Sequence, residues 1–184
     1  MKSFWIGTAL IFAALMGLSG PAHAQSMQAL PIPGIEAAID IPGARELPDP
    51  GLTYKIAFDL GKGSPKIDEV NPGLIKIAEY FNTLAKNGVP ADHRKVVVVF
   101  HQEGTDAVLT NAAFRARNDG HDNPNIALLQ SMKKAGIDLR VCGQGVVHRK
   151  LDAAAILPEV ELDLWAMTTF TTLQLRGYVR VSGN

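Results

Sequence analysis

Gly136–Lys150, GIDLRVCGQGVVHRK, is the stretch from which the fold is read. Ile137 to Val141 is a short apolar run of strand character, and Cys142 follows it into a turn flanked by Gly143 and Gly145. The residues beyond can begin a helix. A strand that ends in a glycine turn and feeds a helix is half of a βαβ unit, and here the chain's only cysteine stands at the carboxyl end of the strand.

The same rhythm runs outward in both directions. Upstream, Thr53 to Leu60 alternates Tyr54, Ile56, Phe58 and Leu60 with polar partners, the period of a strand. Gly61, Gly63 and Pro65 break it, and the GKGS at this loop lacks the length and the Lys-Ser/Thr pair of a phosphate loop. Asn71-Pro72 starts a helix, in which Leu74, Ile77, Ala78, Phe81, Leu84 and Ala85 recur on one face until Gly88 and Pro90 stop it. Lys95 to Phe100, KVVVVF, is a continuous β-branched run suited to a strand covered on both faces, and His101 stands at its carboxyl end. Thr105 to Asn118 is predicted as a helix with Arg115 and Arg117 off its apolar face, and a second Asn-Pro start at Asn123-Pro124 predicts another, running to Gly136.

Downstream of Cys142, Val146 to Ile156 is mostly helical in composition, restarts at Asp152 and is halted by Pro158. Val160 to Trp165 alternates as an edge strand, Thr168 to Arg176 is a short helix ending at Gly177, and Tyr178 to Val181 is a fifth strand. Strands alternating with helices predict an α/β fold: a three-layer α/β/α sandwich with a mainly parallel five-stranded sheet. The order of the strands is left open by the pattern.

The ends of the chain read differently. Lys2, the apolar run Phe4 to Leu18 and the small-x-small Ala22-His23-Ala24 make residues 1–24 a signal peptide, cleaved after Ala24, with export to the periplasm as the consequence. Residues 25–52 carry Pro31, Pro33, Pro42, Pro48 and Pro50 and are expected to form an extended arm, on the domain itself or toward a neighbouring subunit. Residues 53–184 form the α/β domain. The 18 basic and 18 acidic side chains balance, with no basic block, so neither nucleic acid nor a membrane surface is an expected partner once the signal is removed.

One cysteine in an exported chain cannot close an internal disulfide. Cys142 is therefore a small buried apolar group, a bridge to another chain, or a reactive thiol. A position near a helix N-terminus, with His148 and Arg149 close in sequence, is one that favours the thiolate, and Gly143 and Gly145 permit close approach. A Cys-His hydrolase lacks any marked orienting residue, and the five scattered histidines show no metal-ligand spacing, so no metal or cofactor is expected. His101, at a strand's carboxyl end where open α/β sheets bind ligands, completes a candidate site with Cys142, Gly143, Gln144, His148 and Arg149.

Three stretches carry a resemblance: NPNIALLQSMKKAGIDLRVCGQ from Asn123, VVHRK from Val146, and TTLQLRGYVRV from Thr171. Together they make the chain resemble the DsrE/DsrF-like sulfur-relay family, in its exported single-domain branch, from about Thr53 to Val181. The resemblance implies a parallel α/β/α fold, assembly as a trimer or hexamer, and sulfane sulfur carried as a persulfide on Cys142, with Arg149 matching a basic residue that follows it. It implies a sulfur carrier or sulfurtransferase that meets thiol or sulfane-sulfur donors and acceptors, proteins among them. The reading from another class is a non-catalytic oligomeric binding module that uses the carboxyl edge of the sheet.

Overall fold

β1 (Tyr54–Leu60) and β2 (Arg94–Phe100) pair in parallel along their whole length, from Tyr54 beside Arg94 to Leu60 beside Phe100. The computed structural model describes residues 29–183, and among these five strands form one all-parallel sheet in the order β4-β3-β2-β1-β5. β3 (Asp138–Cys142) lies beside β2, β4 (Glu161–Asp163) beside β3, and β5 (Val179–Ser182) beside β1. The signal-peptide reading, with the first residues of the arm, lies outside the described residues.

The strand order decides how the helices are distributed. From β1 to β4 the chain steps one way across the sheet, and right-handed crossovers then put α1 (Pro72–Lys86), α2 (Asn111–Arg115), α3 (Ile126–Lys134) and α4 (Gly143–His148) on one face. To reach β5 it must cross back past the whole sheet, and the same handedness sends α5 (Ala166–Leu175) over the other face. The core divides accordingly. Phe58, Leu60, Val96, Val98, Phe100, Leu139 and Val141 pack against α1, α3 and α4, whereas Ala57, Val97, Val99 and Cys142 pack against Ala166, Phe170 and Leu173 of α5. Alternation of side chains along each strand separates the two sets.

Three predicted elements differ in detail. The helix expected over Thr105 to Asn118 is a 3-10 segment (Gln102–Val108) and then the short α2, because Leu109 is extended and bridged to Ile156, and the Thr110 side chain then caps Ala113 N–H to start α2. The second Asn-Pro start is late. Asn123 uses its side-chain amide to hold the Ala107 and Leu109 carbonyls, so α3 begins at Ile126 with Asn125 at its cap position. Val146 to Ile156 is divided between α4 and a 3-10 turn (Ala153–Ala155) capped by Asp152, with Lys150 at φ 55 closing the first.

The proline-rich arm contains no strand or helix from residue 29 onward, and it packs on its own domain. Asn82, fully buried on α1, accepts from Ile32 N–H at 3.0 Å and donates to the carbonyls of Ile32 and Ile35 at 2.9 and 2.7 Å. One side chain thus satisfies the backbone of an irregular segment, and Ile32 is completely buried.

Candidate functional site

The chain leaves β3 toward one face of the sheet and leaves β4 toward the other. The carboxyl ends of these neighbours are therefore the point at which the connections diverge, the position at which open α/β sheets bind ligands. Cys142 is the last residue of β3, in register with Asp163 of β4. It precedes α4 as its cap residue, but its side chain turns to the other face, where Sγ accepts the Ala166 N–H at 3.2 Å. Ala166 opens α5, and Trp165 before it offers no side-chain cap, so the sulfur satisfies one of the otherwise unpaired N–H groups of the first turn. An N–H and a helix N-terminus aimed at sulfur stabilise negative charge on it. The residue is 5% exposed, among Val97, Val99 and Phe170.

The two glycines that follow have different reasons. A β-carbon on Gly143 would stand 2.7 Å from the Asp163 carbonyl oxygen, so only glycine lets β4 pass this close to the start of α4. A β-carbon on Gly145 would meet nothing nearer than 3.5 Å. Gln144 is exposed at the first turn, and His148 is exposed at the far end of α4. Arg149 donates to Asp106 from its Nη2, and Arg117 approaches the same carboxylate at 3.6 Å, so Arg149 is engaged with the 3-10 segment after β2.

His101 lies one residue past β2, and the pairing of Phe100 with Val141 carries it to the level of Cys142 on the same edge and the same face. Its ring lies over Gly61, where a β-carbon would come within 3.1 Å, and Nε2 reaches Asp59 Oδ1 at 2.5 Å. The other oxygen of Asp59 accepts from Arg180 Nε at 3.0 Å and from Nη2 of the same guanidinium. Arg180 also lies over the Phe170 ring at 4.0 Å, and His101 meets that ring edge-on at 6.2 Å. Burial pushes the Asp59 carboxyl up, but the hydrogen bonds and charges of His101 and Arg180 outweigh it and hold the group below its ordinary range. The α5 face thus carries a chain of polar groups on β1, β2 and β5 beside the thiol on β3.

The profile of the DsrE/DsrF-like family matches residues 55–181, from β1 into β5. The chain belongs to the DsrE/DsrF-like family. No curated protein sequence matches it. Among solved structures, a protein of unknown function from Methanobacterium thermoautotrophicum, MTH1491, is similar in fold. The likeness covers 70% of this chain and 98% of that one, with a TM-score of 0.52 and 14% identity. Both findings agree with the α/β architecture built above.

In this member of the DsrE/DsrF-like family the structure brings His101, Cys142, Gly143 and Gln144 to one edge of the sheet and puts His148 and Arg149 at the other end of α4. Sequence reasoning missed Asp59, Arg180, Phe170 and Thr105. Asp59 reads as an ordinary polar residue in an alternating strand, and its link to Arg180 exists only because β5 returns beside β1. Thr105 is fully buried, and its hydroxyl has no partner among the described residues. Two cavities, of about 210 and 240 Å³, open beside Glu103 and Asp106 and beside Arg140 and Thr172, and neither is lined by Cys142. Among the described residues no group of three or more His, Cys, Asp or Glu could hold a metal ion.

Proposed function

We propose that this protein carries sulfane sulfur on Cys142 in a sulfur relay or sulfur oxidation pathway of the periplasm, after cleavage of the signal peptide. The observation that carries this reading is the placement of the one cysteine: the end of β3, where the crossovers diverge, with a helix N–H on the sulfur. The Cys142 thiolate attacks the terminal sulfur of a sulfane donor, a new S–S bond forms, and the donor's own S–S bond breaks with the electron pair leaving on the donor fragment. A thiolate acceptor then attacks the outer sulfur and regenerates Cys142. The family membership supports the same role.

Intact mass after incubation with thiosulfate or polysulfide tests the proposal: a gain of about 32 Da per persulfide sulfur is expected in the protein and absent from Cys142→Ser. No gain with any of several donors would sink it. The 5% exposure of Cys142 favours the alternative, a non-catalytic oligomeric binding module, and unchanged partner binding by Cys142→Ser without any sulfur uptake would select it. Either reading includes a homo-oligomer. Leu162 of β4, Leu164 and Trp165 in the link that follows it, Met167 and Leu175 of α5 and Val179 of β5 are exposed, apolar surface that further copies of the chain would cover. A monomer by sedimentation at micromolar concentration would remove that part of the proposal.

A further inference from the structure

Asp59, His101 and Cys142 come from three neighbouring strands, with His101 in the middle, and all three turn to the α5 face. His101 keeps extended backbone, φ −153 and ψ 175, so the register that sets Phe100 beside Val141 runs one residue further and sets His101 beside Cys142. Neighbouring strands lie about 4.8 Å apart, and that spacing separates the two residues across the sheet. The His101 Nε2–H donates to Asp59 Oδ1 at 2.5 Å, and Arg180 of β5 holds the other oxygen of the same carboxylate. Nδ1 makes no hydrogen bond among the described residues and is not enclosed, and 18% of the His101 side-chain surface is open, enough for a ligand at the carboxyl edge to meet the ring. From α5 the ring meets only Phe170, and that helix has no titratable side chain. An imidazole fixed at one nitrogen by an oriented carboxylate, with the other nitrogen free, is equipped to move protons.

Resting on the carrier reading of Cys142, we propose that His101 shuttles the proton of sulfur transfer through Nδ1, and that Asp59, locked by Arg180, is its positioning residue. In a transfer step the attacking Sγ, the moving sulfur and the leaving sulfur lie in line, and two S–S bonds of about 2.05 Å give that row a span of roughly 4–5 Å. One strand spacing is the same length, so a donor laid from Cys142 toward β2 brings its leaving sulfur to His101. The Cys142 thiolate attacks the outer sulfur of a persulfide R–S–SH and the Sγ–S bond forms. The donor's S–S bond breaks with its electron pair on R–S, and Nδ1–H supplies the proton that releases R–SH. In the return step an acceptor thiol gives its proton to Nδ1, its thiolate attacks the outer sulfur, and the pair of the Sγ–S bond returns to Cys142. The proton matters most when the leaving group is a basic thiolate, so the substrate class is the persulfide of an alkyl thiol.

Two donors that leave the same product separate this role from a structural one. Glutathione persulfide expels an alkyl thiolate, whereas benzenethiosulfonate expels a sulfinate, a far weaker base that departs without a proton. Wild type, His101→Gln, Asp59→Asn and Cys142→Ser are mixed with each donor, and the rate of gaining about 32 Da, one sulfur, is read by quenched intact mass beside a melting curve. The expected result is loading of wild type by both donors and none in Cys142→Ser. The ratio of the persulfide rate to the thiosulfonate rate should fall at least about tenfold in His101→Gln and severalfold in Asp59→Asn. A wild-type ratio in His101→Gln overturns the inference and leaves the carrier role standing, as does a wild type that loads from the thiosulfonate alone. No loading of wild type by either donor removes both. Should His101→Gln melt early, Asp59→Asn decides, and a wild-type ratio in it overturns the inference.

Discussion

Gly143 and Gly145 are two residues apart in one short helix, yet alanine at the two positions is expected to act with opposite sign. At Gly143 the new β-carbon would lie 2.7 Å from the Asp163 carbonyl oxygen and 3.3 Å from that of Leu164. The first distance is about 0.7 Å short of ordinary contact, and the opposing atom is backbone, which cannot swing aside as a side chain does. β4 or α4 must move, and the hydrogen bond from Ala166 to Cys142 Sγ lies three residues beyond the displaced carbonyl. Overpacking of this kind costs about 1–3 kcal/mol, against a helix-propensity gain of at most about 1 kcal/mol. That gain belongs to helix interiors and is largely absent at the first position of α4, so the net loss is about 1–2 kcal/mol. At Gly145 the gain has nothing to oppose it, and alanine should stabilise by about 0.5–1 kcal/mol. Urea unfolding followed by far-UV circular dichroism measures both. With a slope of about 2 kcal/mol per molar, the midpoint should fall by about 0.5–1 M for Gly143→Ala and rise by about 0.3–0.5 M for Gly145→Ala, with the slope unchanged. A midpoint for Gly143→Ala at or above wild type would refute the close approach of β4 to the start of α4.

Asp59 predicts an acid limb. Its folded carboxyl titrates below the ordinary 3.8, so the stability it contributes is present above that value and is lost as pH falls through the folded value. Asp59→Asn should be less stable than wild type near neutrality and lose less on acidification below about pH 4, and parallel stability curves for the two would contradict the ion pairs with His101 and Arg180. Asn82→Ala removes its three bonds to Ile32 and Ile35 of the arm and loosens Ile32 in its pocket, for a loss of about 2–4 kcal/mol. Limited proteolysis should then cut between residues 29 and 45 in the variant well before wild type, and equal resistance would show that the clasp is dispensable. Arg149→Met leaves Asp106 facing Arg117 alone and should cost about 1 kcal/mol, toward the low end because both groups keep some access to water. An unchanged melting temperature would count against the Arg149–Asp106 pair.

The residues by themselves determined the fold class, the five strands and the position of Cys142 at a strand's carboxyl end. Each of those follows from local periodicity. KVVVVF is apolar on both faces and can only be an inner strand, Asn71 caps α1 with Pro72 at its first position, and a strand followed by glycines ends where they begin. The breaks within Thr105 to Asn118 were not legible, because what interrupts that helix is the bridge from Leu109 to Ile156, a partner 47 residues away. Only the tertiary structure decided which way the thiol turns. The return of β5 to the far edge puts α5 on a face of its own and brings the Ala166 N–H onto Cys142 Sγ, and the same return joins Arg180 to Asp59. Those contacts span 24 and 121 residues, and local spacing carries no information about groups that meet only when the sheet has closed.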